Sequence, residues 1–85
     1  SAASDVYKRQ EIMPIFESIE VYSKEELETK LTTIAEANER KLFAYFPVIR
    51  MATSGLTGGP DLLPMLSVMG KVRVLPRLQS FLEKL

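Results

Sequence analysis

The stretch that sets the architecture is Arg50-Met51-Ala52-Thr53-Ser54-Gly55, Leu56-Thr57-Gly58-Gly59-Pro60-Asp61-Leu62, and then Leu66-Ser67-Val68-Met69-Gly70-Lys71. A turn rich in glycine and hydroxyls joins two apolar segments of helical spacing, with one arginine at its head. Gly55, Gly58 and Gly59 interrupt the chain, and Pro60 fits a first helical position. A helix over about 60–69 is expected to follow, with Leu62, Leu63, Leu66 and Met69 facing inward and Gly70 just past its end. Pro64 falls near the limit of that helix's first turn, so an irregular start is expected. Such a turn leaves backbone N–H groups free beside a helix start, where they can meet an anion or a base edge.

Working outward, Leu42, Phe43, Tyr45 and Phe46 lead to Pro47, which should open a short helix over about 47–53. Ser23 and Glu26 form an S-x-x-E capping box ahead of Leu27, Leu31, Ile34 and Ala35, which predicts a helix over about 24–38. Asn38 to Lys41 reads as a turn. Ile12, Ile15, Phe16 and Ile19 make a helical stripe over about 11–22, where Pro14 is tolerable only in the first turn. Leu75, Leu78, Phe81, Leu82 and Leu85 predict a last helix over about 73–84, its first turn delayed or bent by Pro76. Residues 1–10, Ser-Ala-Ala-Ser-Asp-Val-Tyr-Lys-Arg-Gln, have no sustained periodicity. They are expected to be a frayed tail and look like a translated adapter joined to a gene. With no alternating strand pattern, the expected fold is all-α: an irregular bundle of about four to five short helices within residues 11–85.

Composition narrows the function. The chain has 85 residues, of which 46% are apolar, and has neither cysteine nor histidine. That excludes a disulfide framework, a thiolate zinc site and a histidine acid/base pair. No apolar run approaches the roughly 20 residues a membrane span needs. The net charge is zero, but its distribution is uneven. Residues 1–40 hold five Lys/Arg against nine Asp/Glu, and residues 41–85 hold six against two. The second half can therefore present a basic face that the overall sum hides.

Catalytic chemistry has little to work with. No nucleophile elbow or Walker loop is present, and Thr53, Ser54 and Thr57 have no evident base partner, so turn and cap hydrogen bonds are their expected use. Glu25, Glu26, Glu28 and Glu36 read as a solvated helix face, and the four methionines as core filling. Two roles are open to Arg50. It can favour the negative end of a short helix, or its planar guanidinium can stack on a base and donate to its edge.

From Ile19 onward the order of these pieces resembles the C-terminal end of the anticodon-binding domain of bacterial glutamate–tRNA ligases. Tyr22-Ser23-Lys24-Glu25-Glu26-Leu27-Glu28 is similar to the family's capped acidic helix. Phe46-Pro47-Val48-Ile49-Arg50-Met51-Ala52-Thr53-Ser54-Gly55 is similar to its Pro-hydrophobic-Arg-hydrophobic-Ala segment closed by a hydroxyl and glycine. Gly59-Pro60-Asp61-Leu62 and Met69-Gly70-Lys71-Val72-Arg73-Val74-Leu75-Pro76-Arg77-Leu78 follow in order. Val72 stands where the family has an acid, and Pro76 enters the last helix. Gly59 replaces a side-chain-bearing residue of some relatives, so a contact there would be through backbone.

The resemblance implies a subdomain of an all-α helical cage that recognises the anticodon loop of tRNA-Glu. Arg50 would meet an anticodon base, Gly59, Pro60 and Leu62 would line the neighbouring pockets, and Lys71, Arg73 and Arg77 would face phosphate or solvent. It also implies a monomeric, cytoplasmic parent ligase that uses ATP and Mg2+. These 85 residues would lack its catalytic domain and would be inactive alone, with no cofactor or metal of their own. A helical protein-interaction module without an RNA role is the competing reading. It predicts that Arg50 pairs with an acid such as Glu36 or Glu39, whereas the first needs Arg50 beside the turn at residues 55–60.

Overall fold

The computed structural model describes the chain from Ala2 to Leu85, with side chains from Tyr7 onward. Five α-helices follow one another: α1 Ala2–Ser18, α2 Lys24–Ala37, α3 Phe46–Ser54, α4 Leu62–Met69 and α5 Lys71–Leu82, with a 3₁₀ turn at Leu42–Ala44 before α3. No strand occurs among the described residues, so the fold is all-α. α5 packs against α1, α3 and α4, while α2 packs against α1 and α4. The radius of gyration is 11.7 Å, matching the roughly 12 Å of one compact body of this length.

Each helix contributes a stripe to one core. Ile12 and Phe16 of α1 meet Leu27, Leu31 and Ala35 of α2, Val48 and Ile49 of α3, and Leu62, Leu63 and Leu66 of α4. In α5 the innermost residues are Val74, Leu78 and Leu82, four apart, with the expected Leu75, Phe81 and Leu85 on the flanks. Met13, Met65 and Met69 pack around this core. Tyr22 closes the end of α1. Its ring meets Phe16 edge-on at 5.5 Å, and its hydroxyl donates to the Phe16 carbonyl at 2.6 Å. Burial, with Glu17 nearby, pushes its pKa up to about 12.

Several boundaries differ from the sequence expectation. The tail expected over 1–10 is helical from Ala2, and Ser1 lies outside the described residues. Arg40 holds this end down, its guanidinium 4.6 Å over the Tyr7 ring, a contact that local periodicity cannot register. Pro14 consequently lies deep inside α1, which ends at Ser18 and not near residue 22. The bond lost there would have used the Gln10 carbonyl, and both residues are exposed, so water can substitute. α5 starts at Lys71, two residues before the expected start. Gly70, at φ 78°, supplies the turn between α4 and α5, and its carbonyl accepts from Arg73 and Val74. Pro76 sits inside the helix, and its missing donor leaves the carbonyl of exposed Val72 to solvent.

α2 is bounded as read. Ser23 Oγ accepts from the Glu26 N–H at 3.1 Å, while the Glu26 side chain lies toward Lys30 at 4.0 Å, so only half of the capping box forms. At the other end Glu39 takes φ 55°. Its N–H donates to Glu36, and that of Arg40 to Ala35. This is the six-to-one, five-to-two closure usually given to glycine. It delivers Arg40 to Glu11, with Nε to Oε1 at 2.7 Å and Nη2 to Oε2 at 3.0 Å. The Tyr45 hydroxyl donates to the same carboxylate at 2.5 Å. Arg40 foremost, then Tyr45, hold the Glu11 pKa below its ordinary value against the opposing effect of burial.

Candidate nucleic-acid interface

The turn between α3 and α4 is built by its ends. Gly55, at φ 75°, closes α3 with its N–H on the Met51 carbonyl at 3.0 Å, a left-handed cap that glycine adopts without Cβ strain. The hydroxyls of Thr53 and Ser54 serve the helix end, as the sequence indicated, whereas that of Thr57 makes no such bond among the described residues. Buried Thr53 donates to the Ile49 carbonyl at 2.7 Å, and Ser54 donates to Arg50 at 3.0 Å and accepts from the Leu56 N–H.

α4 starts at Leu62, with Asp61 as its N-cap and Pro60 outside it. This corrects the placing of Pro60 at the first helical position. A helix opening at Pro60 would carry Pro64 into its interior, where its ring meets the carbonyl four residues back and no N–H can be given. Opening at Leu62 leaves Pro64 in the first turn, where the N–H is not needed.

Arg50 sits beside this turn. Its Nη1 donates to the Pro60 carbonyl at 2.8 Å, and a Cβ on Gly59 would lie 3.7 Å from the same nitrogen. Gly59 itself has φ 133°, a conformation that side chains rarely adopt. A guanidinium carries five donors; among the described residues no other acceptor takes one from Arg50. The ion pairs there join Lys30 to Glu26 and Arg40 to Glu11. The pairing of Arg50 with Glu36 or Glu39 that an interaction module would need is not among them.

Arg50 lines a cleft of about 390 Å³ between α2, the 3₁₀ turn, α3 and the start of α4. Leu62, 2% exposed, belongs to the core and forms part of the cleft's lining. Pro60 faces the neighbouring apolar surface of α4, with Met65, Val68 and Met69. The four expected base-contact positions are thus adjacent but do not share one wall. The cleft also holds a residue that the sequence reading did not single out: Phe43, 71% exposed, set edge-on to Phe46 at 5.2 Å and 88°. The only available signal was the density of aromatics in Leu42-Phe43-Ala44-Tyr45-Phe46, of which Tyr45 enters the core.

The three basic candidates of α5 separate. Lys71 Nζ donates to the Glu17 carbonyl at 2.8 Å, and Arg77 Nη1 to the Thr53 carbonyl at 2.8 Å. Both satisfy carbonyls near helix ends, where cations are also favoured by the dipole. Arg73 is exposed, and its side chain has no hydrogen-bond or ion-pair partner among the described residues. No helix among them is long and apolar enough to cross a membrane.

The sequence pattern of the family described as "Anticodon binding domain" matches residues 8–82. The chain belongs to this family of anticodon-binding domains. Among curated relatives of this domain is the glutamate–tRNA ligase of Methylacidiphilum infernorum, 38% identical over 69 residues, covering 81% of this chain and 16% of the relative. That of Elusimicrobium minutum is 36% identical over 69 residues, 81% and 14% respectively, and that of Pelodictyon phaeoclathratiforme 34% over 76 residues, 89% and 15%. The anticodon-binding domain described here thus spans about one-sixth or less of the length of these ligases. No solved structure matches it.

Proposed function

We propose that this domain reads the anticodon loop of tRNA-Glu as the anticodon-recognition end of a glutamate–tRNA ligase. The observation that carries the reading is Arg50, pinned by one donor to the Pro60 carbonyl beside an exposed turn with its other donors unspent. A flat cation held in place, next to bare main chain at Gly58 and Gly59, suits the edges and faces of unstacked loop bases. Gly59, Pro60 and Leu62 would border the neighbouring bases. Arg73 would attract phosphate, with Lys71 and Arg77 adding field from their helix-end positions.

The parent would be a monomeric, cytoplasmic ligase that joins glutamate to tRNA using ATP and Mg2+. This domain gathers, among its described residues, no group of three or more His, Cys, Asp or Glu side chains that could hold a metal ion. Its part is to bind and orient the tRNA.

A titration of this chain with the tRNA-Glu anticodon stem-loop at fixed salt tests the reading. Arg50→Ala should weaken binding by roughly 1–3 kcal/mol and leave the thermal midpoint nearly unchanged, because the side chain lies outside the core. Arg50→Lys should recover only part, since a point charge cannot stack or donate as a fork. Equal affinity for Arg50→Ala and the parent sequence would overturn it.

A further inference from the structure

We propose that the cleft beside Arg50 is a slot for a single unstacked base, with Phe43 as its stacking wall and Asp61 as an acceptor that favours cytosine over uracil. The inference rests on the anticodon reading above and adds two residues to it. The cleft takes Lys24 and Glu28 from α2, Phe43 from the 3₁₀ turn, Arg50 from α3 and Asp61 from the α4 cap. Two cations face two carboxylates, so the cleft carries no net charge. A phosphate would meet as much repulsion as attraction there, whereas a neutral flat ring with a polar edge would not.

Phe43 supplies the flat wall. It is the large aromatic left most exposed, its ring standing at 88° to that of Phe46 with centroids 5.2 Å apart, so the two rings are not stacked face to face. Asp61 supplies the edge contact. It is exposed and caps α4 by position, yet its carboxylate makes no capping hydrogen bond, so both oxygens are free to accept. Pro60, its chain neighbour, holds Arg50, which brings donor and acceptor to the same rim. The Watson–Crick edge of cytosine offers carbonyl and ring-nitrogen acceptors to a guanidinium and an amino group to a carboxylate. Uracil would place a carbonyl against Asp61, lone pair to lone pair.

The test compares two probes of one stem sequence, with loops of cytosine only or uracil only, binding to this chain and its variants at fixed salt. The cytosine loop should bind the unaltered chain roughly tenfold tighter. Phe43→Ala should weaken both probes by roughly 5- to 100-fold, with Phe43→Trp retaining affinity and the thermal midpoint of each unchanged. Asp61→Ala should abolish the preference between loops, weakening the cytosine loop and relieving the repulsion felt by the uracil loop. If Phe43→Ala binds as tightly as the unaltered chain while Arg50→Ala does not, the slot is refuted and the anticodon reading survives. Equal binding of the two loops to the unaltered chain refutes the role of Asp61. Failure of the unaltered chain to bind the tRNA-Glu stem-loop or either probe refutes slot and reading together.

Discussion

Pro64 cannot give a hydrogen bond to the carbonyl of Pro60, four residues back, and Arg50 gives it instead. Two residues that look like helix punctuation therefore position a cation from another helix. The turn donates an acceptor, the arginine surrenders one of its donors, and the rest of the guanidinium is held facing the cleft. Holding it there matters because fixing a long side chain costs up to about 2 kcal/mol of rotamer freedom, a cost met in folding and not again on binding. This is why Arg50→Lys should fall short of the parent affinity even with its charge intact. The sequence pointed to Arg50 through its place at the head of the turn. It could not show the Pro60 contact, because nothing local links residues 50 and 60.

At the scale of elements, the helix interiors were readable and the ends less so. The stripes of α2, α3 and α4 follow from spacing alone, and Ser23 marks its helix start as a hydroxyl cap should. The ends of α1, α4 and α5 moved for different reasons: a tertiary contact at α1, proline sterics at α4 and the Gly70 turn at α5. Tyr7 under Arg40 keeps α1 helical before its periodic stripe begins, and the two prolines decide where α4 can open. Phe43 was illegible for a related reason: an aromatic spaced like core is expected to be core, and only packing shows that Tyr45 takes that place.

The closure of α2 carries a testable cost at this same scale. Glu39 occupies the left-handed region, which disfavours side chains by roughly 1–2 kcal/mol, partly offset by the freedom glycine gains in the unfolded chain. Glu39→Gly should therefore stabilise the domain by about 0.5–1 kcal/mol, seen as a higher thermal midpoint with no change in RNA affinity. A lower midpoint would show that this closure is not strained.

Across the whole molecule, three ionisable groups set the pH range of stability. Glu11 has a folded pKa below its ordinary value of 4.5. The unfolded chain takes the proton first on acidification, so the contribution is complete above that ordinary value and is lost as pH falls through the folded one. Tyr22 and Tyr45 are pushed up from 10.0 to about 12, chiefly by burial. The unfolded chain loses those protons first on alkalinisation, so stability declines from near pH 10 upward. Thermal unfolding across pH should thus show a plateau between these limits. Glu11→Gln should lower it by several degrees and flatten the acid limb. An unchanged acid limb would mean that the Glu11–Arg40–Tyr45 network does not hold the chain's first helix in place.

The same molecule divides into an acidic first half and a basic second half, and the proposed RNA face lies where the 3₁₀ turn, α3 and α4 meet. An amide-resolved NMR titration of this chain with the tRNA-Glu anticodon stem-loop tests that placement most directly. The largest shifts should fall at Phe43, Arg50 and Gly55 to Leu62, with smaller ones along α5 near Arg73 and little change over α1. Shifts concentrated on α1 and the acidic face of α2, with the turn at residues 55–61 unmoved, would contradict it.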